Sequence, residues 1–160
     1  MIANLLFAVA IAQFPVEPSP SNAGRGKTVL EAVFRDMIRD VPGLSGPYSS
    51  PFCLQGPGET DPPAAVMNRI RAFNAQVRPA SACRLEKDPN IGQRRWMVER
   101  RTGGPAILLR VDSIQCSDNR HCSVSCGYFA ASLSASSNIF QVERTGAEWL
   151  VTSRRMMLIS

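Results

Sequence analysis

The stretch PAILLRVDSIQCSDNRHCSVSCGYFAASLSA, Pro105 to Ala135, reads as two long strands joined by a tight turn. Ile107, Leu109 and Val111 put apolar residues at odd positions, and after Asp112 the apolar positions become even, at Ile114 and Cys116. Period-two alternation marks a strand with one buried face. A one-residue change of phase, here at Asp112, is what a β-bulge produces. A second run, Cys122 to Ser134, carries Val124, Tyr128 and Phe129, residue types that favour strands. Between the two lies SDNRH, in which Asp118 and Asn119 are turn formers. A five-residue loop sets Cys116 and Cys122 nearly opposite each other, within bridging range. The expectation is a stapled hairpin, whose short loop limits the stabilisation to roughly 2–3 kcal/mol. Pairing of Cys122 with a distant cysteine is the rival reading.

Working outward, strand runs alternate with turn clusters from Arg94 to the last residue: RRWMVERR, TGG, the hairpin, SSN, IFQVER, TGAE and WLVTSRRMMLIS. The pattern predicts five antiparallel strands, two of them long enough to curve the sheet. Upstream, TVLEAVFRDMIRDVPG, Thr28 to Gly43, repeats Val29, Val33 and Met37 beside Leu30, Phe34 and Ile38, one stripe of an amphipathic helix. Thr28 and Glu31 make a capping box, and Pro42-Gly43 ends the helix. A second helix runs from Asp61 as N-cap, with Pro62 at its first position, to about Gln76. Between the helices, Pro42 to Pro63 reads as a loop rich in proline and glycine, anchored by Cys53 or serving as a flap over a site. The fold class expected is α+β, with two N-terminal helices packed on a curved five-stranded antiparallel meander.

The first residues, MIANLLFAVAIAQ, are apolar from Ile2 to Ile11 apart from Asn4, and end in an A-x-A pattern. The pattern predicts a signal peptide over residues 1–12, one lacking a basic n-region, as expected of a weak signal or a true start elsewhere; a buried N-terminal strand or helix is the alternative. Residues 13–26 have linker composition, and 27–160 form one domain. Five cysteines in an exported chain imply disulfides and at least one cysteine outside them. With Cys116 and Cys122 joined, Cys53 and Cys83 are the second candidate pair, and Cys126 is the free thiol, buried as a small apolar residue. The implied location is periplasmic or secreted.

Other chemistries fit the residues less well. On a strand, Cys122 and Cys126 lie about 13 Å apart, too far to grip one ion, and His121 is the only histidine, so no metal site is read. His121 and Cys122 are neighbours that point to opposite strand faces, which argues against a thiol dyad. No G-x-S-x-G and no glycine-rich phosphate loop occurs. The net charge of +5 comes from sixteen arginines and two lysines scattered in ones and twos, with no basic tail. Nucleic acid is therefore not an expected partner, and no stretch is long enough to span a membrane. No cofactor and no catalytic residue is read. Asp112 with Tyr128 is the acid–base pair that a pocket enzyme would use.

The ending IFQVERTGAEWLVTSRRMMLIS, with Gly146, Trp149 and Val151, resembles the last two strands of small bacterial domains with the nuclear-transport-factor-two-like, or cystatin-like, fold. With VRPASAC (Val77 to Cys83) and GYF (Gly127 to Phe129), the chain is similar to exported bacterial proteins of unknown function. The resemblance implies a sheet curled around a helix, enclosing a pocket that some members use for catalysis and others for binding. The reading that follows is a non-enzymatic binding or interaction module of the cell envelope, for an unknown protein or small ligand. A small pocket enzyme and an inhibitor or immunity-type protein are the alternatives. Oligomeric state is not encoded in any of these features.

Overall fold

A computed structural model of the chain describes residues 22–40, 50–87, 94–132 and 134–159. The signal segment read at residues 1–12 lies outside them. The first helix, α1 (Asn22–Asp40), begins within the stretch of linker composition, so Thr28 is an interior residue and not a cap. Its stripe is buried at Val29, Leu30, Val33, Phe34 and Met37. The second helix, α2 (Ala64–Phe73), follows Pro63 and buries Val66, Met67 and Ile70. Asp61 does not cap it; its carboxylate accepts from the Ser81 N–H at 2.9 Å and the Ser81 hydroxyl at 2.6 Å. Glu31 joins the two helices by pairing with Arg35 at 2.7 Å and with Arg69 of α2. Arg35 and Arg39 lie over the Phe73 ring, 5.5 and 5.1 Å from its centroid, which gives this exposed ring cationic cover.

Among the described residues, eight strands in one mixed sheet replace the expected five-stranded antiparallel meander, and this corrects the fold class. They are β1 (Phe52–Gln55), β2 (Val77–Pro79), β3 (Cys83–Lys87), β4 (Arg95–Glu99), β5 (Ile107–Cys116), β6 (His121–Ala131), β7 (Ser134–Thr145) and β8 (Glu148–Ile159). The correction turns on β1. It lies between β2 and β5 and is parallel to both, with α2 as the crossover to β2. Phe52, Cys53 and Leu54 are all buried, so this strand is covered on both faces and shows no alternation. Four residues bounded by Pro51 and Gly56-Pro57 look like loop, yet the Pro51 carbonyl accepts the Ile107 N–H at 3.0 Å and starts the ladder.

From β5 to β8 each strand pairs antiparallel with the next. The β5–β6 register shifts between Val111 and Ser113, which leaves Asp112 as the bulge residue, and it ends with Cys116 opposite Cys122. Gly127 lets β7 come close: a Cβ there would lie 3.2 Å from the Ser136 carbonyl carbon and nearer still to its oxygen. The strand β4 departs from the meander. It pairs along its length with β3 and meets β6 only at Trp96↔Ala131, past the last β5 pair, Leu108↔Phe129. The main core lies under the helices and contains Phe34, Leu54, Ile70, Leu109, Val124 and Phe140. A second, smaller cluster holds Cys53, Cys83, Met97 and Ala106, packed by Leu108 and Phe129. Strand alternation places it on the other face, since Leu108 alternates with the core residues Ile107 and Leu109.

Candidate functional site

That second face carries the site. The β3–β4 ribbon is fastened at its base by three devices. Cys53 of β1 is bonded to Cys83 of β3. The Arg100 guanidinium donates to the Cys83 carbonyl at 2.9 Å. Glu99, buried at the end of β4, accepts from the Thr102 hydroxyl at 2.8 Å and from Arg78 of β2 at 3.1 Å. The Thr102 hydrogen bond, with Arg78 and Arg101, holds the Glu99 carboxyl below the usual carboxylate range against the opposing effect of burial.

Between this ribbon and the sheet lies an open cleft of about 250 Å³. Leu85 and Met97 line it from the ribbon, and Leu108, Phe129, Ser136 and Ser137 from the sheet. Arg110 supplies its positive charge. The nearest carboxylate oxygen of Asp112 is 3.5 Å from the Arg110 Nε, longer than a charge-assisted hydrogen bond, and both side chains are exposed. The guanidinium therefore keeps donors for another acceptor. An apolar floor beside one cation matches a small molecule, or a side chain, with an apolar body and an anionic end.

The remaining residues singled out in the sequence take the following places. Cys116 is bonded to Cys122. Cys126 is free and buried, and burial above all, with Asp112 and Asp36 adding to it, pushes its thiol up to about 12, so it stays protonated. Tyr128 stands opposite Leu109 and packs against the helix-side core, while also bordering the cleft. Asp112 sits exposed in the bulge beside Arg110, and no hydrogen bond joins it to Tyr128. His121 is exposed at the start of β6, with its Nδ1 2.8 Å from Asp118. The Arg120 backbone N–H, then the His121 side chain, hold the Asp118 carboxyl below its ordinary value. Among the described residues no group of three or more His, Cys, Asp or Glu side chains comes together to hold a metal ion.

The cleft residues Leu85, Met97, Leu108 and Arg110 were not legible as a group. One signal was present: Ile107, Leu108 and Leu109 are apolar in succession, as in a strand covered on both faces. Comparison of the chain with protein-family models, with curated proteins and with solved structures gives no match. Two disulfides are compatible with an extracytoplasmic location, and no helix among the described residues is long and apolar enough to cross a membrane.

Proposed function

We propose that this chain is a non-enzymatic binding module of the cell envelope, periplasmic or secreted, and that its ligand enters the cleft between the β3–β4 ribbon and the sheet. The observation that carries this reading is the cleft itself, with its apolar lining and the loosely paired Arg110. The two disulfides favour an oxidising compartment. The volume lies just below the usual range for ligand sites, so the ligand is either a compact amphipathic anion or one side chain of a partner protein.

Thermal unfolding in the presence of short-chain and aromatic monocarboxylates tests the proposal. A ligand at a hundred times its Kd raises stability by about 2.7 kcal/mol. The expected result is a rise in Tm that Arg110→Gln and Leu108→Asp both abolish. A rise that survives both variants places the ligand elsewhere and refutes the cleft as the site.

A further inference from the structure

Among the described residues, β8 is paired with β7 alone, so the outer edge of a 12-residue strand carries unpaired backbone donors and acceptors. Proteins usually shorten, charge or cover such an edge. Elsewhere in this sheet they do so: β2 has three residues and ends in Pro79, and β3 carries Arg84, Glu86 and Lys87. The β8 edge is long, and beside its charges Glu148, Arg154 and Arg155 it presents Leu150, Met156 and Met157, which are 47%, 58% and 55% exposed.

The charges on β8 are arranged unequally. Arg154 is committed to Asp36 at 2.7 Å and to Asp40, and it lies over the Phe140 ring. Glu148 and Arg155 are exposed, and neither side chain has an ion-pair or hydrogen-bond partner among the described residues. Seven positions apart, they would point to opposite faces of a regular strand. The bulge cancels this. Val151 pairs with Val142 and Ser153 with Gln141, so Thr152 is the extra residue. Glu148 is thus opposite Thr145 and Arg155 opposite Ile139, six residues apart on β7 and on one face.

We propose that the β8 edge pairs antiparallel with the β8 of a second copy of this chain, about a two-fold axis between Val151 and Thr152. That register sets Glu148 of each copy opposite Arg155 of the other, twice per dimer, on the same face of the joined sheet. Leu150 then faces Ser153, and Met156 and Met157 reach the partner's turn at Gly146-Ala147. The self-complementary placement of the two free charges is the reason for choosing a second copy over a foreign strand. The pairing is isologous, and it removes the open edge from both chains.

Sedimentation equilibrium of the full chain, with each variant first checked for intact disulfides and wild-type tryptophan emission, tests this. The expected mass is twice that of the chain. Glu148→Arg or Arg155→Glu alone places like charges opposite each other at two points and weakens the dimer at least about tenfold. The double variant restores opposite charges and returns the affinity toward that of the wild type. A monomer at every concentration overturns the proposal. So does a dimer that ignores the single reversals, or a double variant no tighter than the singles.

Discussion

Removing the two disulfides one at a time should cost unequal amounts, and the inequality is set by the chain. Cys53 and Cys83 are 30 residues apart, and Cys116 and Cys122 only 6. On the loop-entropy relation, freeing the longer loop costs about 3.6 kcal/mol and the shorter about 2.2 kcal/mol at room temperature. Packing widens the gap. Both cysteines of the longer bridge are buried, in the cluster under the β3–β4 ribbon, whereas in the hairpin bridge Cys122 is buried in the main core and Cys116 only half-buried, so the difference in packing is confined to Cys116. Cys53→Ala with Cys83→Ala should therefore destabilise by at least about 1.4 kcal/mol more than Cys116→Ala with Cys122→Ala. Urea unfolding reads this through Trp149, which is buried and joins the main core. The longer bridge also holds the ribbon over the cleft, so its loss should weaken ligand binding, while loss of the hairpin bridge should not. Equal costs, or a hairpin bridge worth more than the longer one, would mean that loop length and burial do not set what each bridge contributes.

Two further outcomes follow from single residues. Gly127→Ala puts a methyl group against the Ser136 backbone in the middle of a paired strand, where no side chain can turn aside, and should cost about 3 kcal/mol in urea unfolding; a loss under about 1 kcal/mol would mean that β6 and β7 do not approach as described. Glu99 has a lowered pKa in the folded chain, so its stabilisation is present above the ordinary glutamate value of about 4.3 and is lost as pH falls through the folded value. Urea midpoints measured down an acid series should therefore fall more steeply for the wild type than for Glu99→Gln, and parallel curves would contradict the assignment.

The parts of the fold that were legible are those in which sequence neighbours decide the structure. The β5–β6 hairpin is local: its turn residues, its alternation and the phase change at Asp112 all lie within one short stretch. The α1 stripe is likewise written in four-residue spacing. The parts that escaped depend on residues far apart in the chain. β1 has no signature of its own, because a strand covered on both faces looks like any short apolar run, and only β2 and β5 give it a ladder. Asp61 is a sound N-cap by sequence, but Ser81, 20 residues on, takes its carboxylate, and the helix starts later. The cleft is the extreme case. Leu85 and Met97 meet Leu108 and Phe129 only because β4 joins the sheet at Ala131 of β6 and the Cys53–Cys83 bond ties the ribbon to β1.

The most direct test of the account is a native mass spectrum of the chain recovered from the exported fraction of an expressing bacterium, compared with its denatured spectrum after thiol alkylation. The account predicts a polypeptide lighter by four hydrogens than the reduced chain, with one thiol, that of Cys126, alkylated only after unfolding. With a monocarboxylate added, a small non-covalent mass should be present in the native spectrum and absent from that of Arg110→Gln. A bare native polypeptide that takes up none of the monocarboxylates added to it, or a product with five reactive thiols, would contradict it.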